Sequence, residues 1–390
     1  MSAALRLPAF FLTEDGFRAF ESRAMERKKI VRETGKICRR RCERFGTVYD
    51  TLEQPGGHAA HSYVTNNCWD GRDAIVTARV KSLADFSCEF VRTELGTGEE
   101  EVITRGRWPE FEVKNGNLYQ FFGKEVLRTN LKTKKTEVLW AGDYELSGPI
   151  SVSADEKRVS VSWFYGDGTT SVGFLDTEKG QHTEVYRGGF APPFQDISHV
   201  MVSPRDHNKI FFCHEGITQY ITNRLWMAEA DTGHVENIFR QRLDENGNNG
   251  DCVGHEMWSS DGKGMYFIKY ISTTLPPKGV WYLDVYTKES RPVASGYEYW
   301  HVGVSPAGNL LAADTQIGGS HSEVILIDQA KGEEIPLVFA KTNWTHPCHP
   351  HPVFNCDGTK VCFETLNEEG NLCVGIVDLV QKCGSGGERK

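Results

Sequence analysis

A short unit recurs along most of this chain, and it constrains the fold more than any other feature. It consists of a hydrophobic strand, a tight turn with Asp-Gly or an equivalent, a second strand, a loop, and a third strand ending in Asp before a Thr/Gly/Lys turn. The first halves recur at 66–78, 111–121, 151–163, 201–213, 257–268, 302–313 and 352–363. The second halves recur at 172–180, 225–233, 280–288, 324–332 and 374–379. Successive turns fall roughly 40 to 55 residues apart, the period of a β-propeller in which each repeat forms one blade. Seven copies predict an all-β, seven-bladed β-propeller over residues 46–390. The first three copies match less closely, so six or eight blades stay open.

Residues 1–45 stand outside the repeat and are expected to form an N-terminal helical extension. Thr13 followed by Glu14 and Asp15 suits a capped helix start. Phe17, Phe20, Met25, Ile30 and Val31 give a loose apolar stripe, and 36–44 is a basic end. Such a helix packs on the main body or serves as a dimerisation arm, which would make the protein a homo-oligomer. The formal charge of -9 argues against nucleic acid as a partner, yet leaves room for an acidic ligand in one locally cationic cleft. The 11 cysteines are scattered, with no C-x-x-C pair. Cys213, Cys252, Cys348, Cys356, Cys362 and Cys373 lie in or beside strand-like runs, as expected of reduced, buried thiols in a cytosolic protein. The N-terminus makes a poor signal peptide, and no window approaches the roughly 18 apolar residues of a membrane span. A soluble, cytoplasmic protein is expected, without membrane contact.

The chemistry concentrates in the run Trp344–Phe354, W-T-H-P-C-H-P-H-P-V-F. Alternating prolines exclude a helix and favour stiff extended chain, in which His349 and His351 would share a face. The repeat gives these residues company. His199, His255, His301 and His351 stand at one phase of four successive repeats, just before the strand that lines a propeller's channel. His214, His346 and His349 flank that phase. Arg224, at the start of a third strand, can turn inward beside the ring, and His61 and Asn66 could close it. Converging imidazoles suit a transition metal or a hard cation.

In order and spacing, five elements carry a resemblance. They are C-H-E-G (Cys213–Gly216), R-x-W (Arg224–Trp226), H-E-x-W (His255–Trp258), the lone His301, and H-x-H-P-x-F (His349–Phe354). Over roughly residues 55–380 the chain resembles the oligogalacturonate lyases, seven-bladed propellers that degrade pectate by β-elimination. The resemblance implies His255 as the Brønsted base, Arg224 as the catalytic arginine, and His301, His349 and His351 as metal ligands. The family's fourth ligand is a glutamine, at whose place this chain carries His346. The family's usual ion is Mn2+; a fourth imidazole softens the site and leaves Zn2+, Ni2+ or Fe2+ open. His199, His214 and His61 are assigned as substrate contacts. The implied substrate is a short, acidic, 4-linked uronate oligosaccharide. Its C5 proton is removed by a neutral imidazole while a cation neutralises the C6 carboxylate. Two other readings remain: a non-catalytic propeller with a structural metal, and a propeller hydrolase or lactonase, whose sites usually hold calcium through carboxylate and amide oxygens. A glycosidase would need paired carboxylates, for which Glu215 and Glu256 are the nearest candidates.

Overall fold

The computed structural model describes residues 35–80, 84, 86–343 and 348–380. Seven antiparallel sheets follow one another along these residues, each a propeller blade. Blades 1 and 2 start at the strands His58–Ala60 and Phe111–Lys114, and blades 4 to 7 at Ile197–Val202, Val253–Trp258, Tyr299–Val304 and Val353–Phe354. Blade 3 has three full strands; its innermost position is reduced to a single bridge, Val152 to Val159. The all-β, seven-bladed expectation therefore holds. No helix among the described residues is long and apolar enough to cross a membrane.

The turns explain why the repeat was visible. In blade 5, Ser259 donates its hydroxyl to Asp261, and Asp261 in turn accepts the backbone N–H of Lys263. Gly262 between them takes φ +63°, a left-handed conformation that glycine adopts without strain. Blade 3 builds the same turn from Ser153 and Asp155, but Glu156 occupies the left-handed position at φ +57°. That substitution accounts for the weaker match there. The Asp that closes each second half also has a task. Asp176, Asp284 and Asp328 accept backbone N–H groups of the turn that follows. Between blades, alternating strand residues bury large side chains such as Phe90, Phe111, Phe211, Phe267 and Phe363, each contributing on the order of 2 kcal/mol by burial.

The N-terminal expectation needs correcting. Lys36–Arg41, placed in a helix by its basic character, is a β-strand. It pairs with Val48–Glu53 in register Lys36↔Glu53 to Arg41↔Val48. Val48–Glu53 then pairs with Leu372–Asp378 of the last blade, with Asp50 opposite Ile376. The closing blade is thus five-stranded, its inner three strands from the end of the described chain and its outer two from the beginning. The basic run works as a strand because acids face it: Arg40 lies 2.6 Å from Glu53 and Arg39 lies 3.6 Å from Asp50. The part of the expected helix before Gly35 lies outside the described residues, and a homo-oligomer built through that helix has no support among them.

Candidate active site and metal centre

The inner strands carry the candidate histidines, and each does so at a defect. Blades 4, 5 and 6 break register between their first and second strands, at Ser198/Met201, Gly254/Met257 and Tyr299/Val302. Each of these two-residue bulges holds one of the histidines, His199, His255 or His301. His199 and His255 take φ +52° and +53°, a left-handed conformation costing roughly 1–2 kcal/mol for a residue with a Cβ. A bulge re-aims one side chain without disturbing the strand beyond it, and here it turns the imidazoles into the channel mouth. His351 also takes a positive φ, +46°. His349 and His351 do converge, with ring centroids 5.4 Å apart, but through this backbone reversal rather than the extended run expected from the prolines.

Three imidazoles form a cluster. His301, His349 and His351 are buried, and one ring nitrogen from each lies within 4.8 Å of the others. Asp314 accepts from His301 Nδ1 at 2.9 Å and from its backbone N–H at 2.6 Å, and from the backbone N–H of His351 at 3.1 Å. Glu364 lies 3.6 Å from His351 Nδ1. With carboxylates on the Nδ1 side, His301 and His351 present Nε2 to the cluster, the outer-shell arrangement common for imidazole ligands. The donor set and its second shell fit a divalent transition metal. His346, expected as the fourth ligand, lies outside the described residues.

Blade 6 approaches this cluster closely. A Cβ placed on Gly303 would come 2.2 Å from the carbonyl oxygen of Pro352. Gly303→Ala is expected to cost about 1–3 kcal/mol of stability and to weaken metal retention. Thermal melts and metal analysis of the variant check both.

Beside the cluster opens a cavity of about 420 Å³, lined among others by His199, Glu215, Arg224, His255, Tyr270 and Trp300. The ring of His255 stands 4.0 Å from that of His301. Its Nδ1 meets the carbonyl oxygen of Trp300. A carbonyl can only accept, so Nδ1 carries the proton and Nε2 keeps its lone pair. Burial, then the neighbouring His301, His199 and Arg224, holds this imidazole well below its usual pKa, so it stays neutral.

Arg224 is buried and ion-paired. Its Nε donates to Glu256 at 2.6 Å and its terminal nitrogens to Glu215 at 3.1 and 3.4 Å. Burial works against ionising either acid, but Arg224 outweighs it, holding Glu256 down at about 2 and Glu215 well below the usual carboxylate range. Both acids are thus committed as anions. His199 joins this network through Nδ1, 3.0 Å from Glu256. The remaining expected contacts lie elsewhere. His214 has both ring nitrogens engaged, by Asn223 Oδ1 and Phe194 O, and its ring stacks on Phe190. His61 is fully buried at the junction of the first and last blades, its Nε2 3.2 Å from Pro350 O. Asn66 donates to Ile150 O.

One residue at the site escaped the sequence reading. Tyr63, from the loop after the first inner strand, sits between His199, His301 and His351, with ring centroids 5.6, 6.1 and 5.1 Å away. Its hydroxyl is 3.4 Å from His199 Nε2. Burial, then the charges of Glu256 and Glu215, pushes the phenol well above its usual pKa. No repeat position marks it, and its neighbours in sequence gave no signal beyond Asn66 and His61.

Fold and site together define a seven-bladed propeller whose channel mouth carries a three-imidazole cluster beside an arginine-bearing cavity. Residues 190–333 match the family model described as oligogalacturonate lyase. An oligogalacturonide lyase of Pectobacterium atrosepticum is 25% identical over 187 residues, 43% of this chain and 46% of that protein. An oligogalacturonate lyase of Dickeya dadantii is 21% identical over 207 residues, 48% of this chain and 50% of that protein. The chain spans about half the length of the curated relatives it matches. A solved oligogalacturonate lyase in complex with manganese superposes with a TM-score of 0.76 at 17% identity, covering 89% of this chain and 96% of that one; this likeness shows the fold. The chain is therefore similar to the oligogalacturonate lyases over the part that carries the C-H-E-G, R-x-W and H-E-x-W segments.

Proposed function

We propose that this chain is a metal-dependent lyase that cleaves short 4-linked uronate oligosaccharides, oligogalacturonate-like, by β-elimination to give 4,5-unsaturated uronates. One observation carries the reading. A neutral imidazole, His255, is fixed with Nδ1 on a carbonyl and Nε2 available, in a cavity adjoining the three-imidazole cluster. A base of that kind suits abstraction of the C5 proton. Glu215 and Glu256, the carboxylate pair a glycosidase would need, are both occupied by Arg224, which disfavours hydrolysis by paired carboxyls.

His301, His349 and His351 would hold a divalent cation, with His346 as the fourth ligand of the proposal. Such an ion, when bound, neutralises the C6 carboxylate and stabilises charge developing on it. The need for a cation follows from the charges present: Arg224 faces two carboxylates, so the side chains alone leave one negative charge in excess around the cavity. The relative with manganese favours Mn2+, and a four-imidazole set favours Zn2+, Ni2+ or Fe2+.

The residues then divide the work. His255 Nε2 takes the C5 proton. Arg224 has five N–H donors, of which three are directed at Glu256 and Glu215; the other two are left for the substrate carboxylate. Trp300, Tyr270 and Ile217 give the cavity apolar walls for the sugar faces. The leaving O4 takes its proton from water, while Tyr63 steadies His199 at the cavity wall. Its phenol is held neutral, and His199, bonded to Glu256 through Nδ1, accepts at Nε2 from the Tyr63 hydroxyl. Unbridged, buried thiols such as Cys213 and Cys252 support the cytoplasmic setting expected from the sequence.

The test is product formation across a panel of uronate oligomers, followed by ultraviolet absorbance of the unsaturated product, with metals removed by chelator and added back singly. Activity lost on chelation and restored by one ion is expected. A metal-loaded, folded protein giving no unsaturated product from any uronate overturns the reading.

A further inference from the structure

At the junction of the first and last blades, four ionisable side chains meet inside an otherwise apolar core. His61 and Cys68 come from the loop after His58–Ala60. Cys362 and Glu364 come from the strand Lys360–Leu366, where alternate residues share a face. His61, Cys68 and Cys362 are fully buried and Glu364 nearly so. Trp69, Ile75, Trp108, Phe111 and Val353 belong to the apolar cluster that takes in both cysteines. The two sulfurs lie 3.5 Å apart, and both stand within 4.8 Å of a His61 ring nitrogen. Pro350 O accepts from His61 Nε2, which leaves Nδ1 as the ring nitrogen that can ligate an ion. Beyond each other and the two thiols, that Nδ1 and both carboxyl oxygens of Glu364 have no hydrogen-bond partner among the described residues. Buried polar atoms in that condition are rare and costly. Three such atoms lie beside the two thiols.

We propose that Cys68, Cys362 and His61 form a second metal site, for a zinc-class ion, that clips the first blade to the last. Two thiolates and an imidazole are zinc donors by type. Sulfurs bound at about 2.3 Å to one tetrahedral ion stand roughly 3.8 Å apart, so the observed separation needs little adjustment. The His61 N–H on a backbone carbonyl is the usual second shell for a ligating imidazole. Cys68 and Cys362 are 294 residues apart in sequence, and a clip between them restrains a long loop of the unfolded chain. This site is independent of the lyase reading.

The test uses the full-length protein, purified under reductant and loaded with Zn2+ or Co2+. X-ray absorption at the zinc edge is expected to show sulfur at about 2.3 Å, and the cobalt form a thiolate-to-metal charge-transfer band. Both should persist in His349→Ala/His351→Ala and disappear in Cys68→Ser/Cys362→Ser. Chelation under reductant should lower Tm by roughly 5 °C. If the cysteine variant does not fold, the two spectra of the wild-type protein decide alone. Nitrogen and oxygen scatterers without sulfur in fully loaded protein overturn the proposal. So does recovery of Cys68 and Cys362 as a disulfide when the untreated protein is unfolded and trapped without reductant. Loss of lyase activity or its absence has no bearing on either outcome.

Discussion

Replacing His255 with asparagine is expected to slow formation of the unsaturated product by about 10²- to 10⁴-fold, the range of general acid–base contributions. Asparagine is the better probe than alanine because His255 sits at φ +53°, a conformation that asparagine tolerates. The loss should then fall on kcat, since the cavity, Arg224 and the three-imidazole cluster are untouched. Substrate affinity and metal content should stay near those of the parent. Steady-state kinetics with metal analysis and a thermal melt on the same preparation separate these terms. A folded variant with full metal and a near-parental rate would remove His255 from the base role and leave the reaction without one.

The double variant His349→Ala/His351→Ala is expected to lose the catalytic ion and the activity together. Losing a second-shell partner alone typically costs 10- to 100-fold in metal affinity, so removing two ligands should exceed about 100-fold. Asp314→Asn offers the graded comparison, because Asp314 orients His301 and the His351 backbone without being one of the three imidazoles. It should weaken binding by about 10- to 100-fold and yield partial activity that excess metal restores. Titration of each variant with Mn2+ and Zn2+ checks the order. Unchanged metal retention in the double variant, measured in a background lacking Cys68 and Cys362, would count against the cluster as a metal centre.

The blades were legible because their turns are built from side chains. An Asp-Gly turn needs a particular acid and a particular glycine, and those residues recur in the sequence as they do in the fold. The histidine phase was legible for the same reason, since a bulge at one place in successive inner strands leaves a letter at one place in successive repeats. Tyr63 was not legible, because it reaches the site from a loop that no other blade repeats. The closing strand Lys36–Arg41 was misread as helix. It lies at the outer edge of the sheet, largely solvated on both faces, so it lacks the apolar alternation that marks a half-buried strand. Its partner Val48–Glu53 pairs onward with residues more than 300 positions later, and no local pattern reports that. The thiol pair was hidden likewise: each cysteine alone reads as a small buried hydrophobe, and the feature that matters is their meeting across the seam.

The seam also sets the order in which the molecule can be finished. The strands Lys36–Arg41 and Val48–Glu53 leave the ribosome before every other described strand, yet Leu372–Asp378, onto which they fold, is among the last of the described residues to be made. At typical synthesis rates the early hairpin waits on the order of tens of seconds for its neighbour. During that interval it is an unpaired edge on a nascent chain, open to the edges of blades forming downstream. Its composition suits the wait. Arg39, Arg40, Asp50 and Glu53 can pair within the hairpin, and charge along a waiting edge discourages adoption by the wrong sheet. A ring closed by its oldest strands is completed last, and the charges that made Lys36–Arg41 look helical help to keep the hairpin available until then.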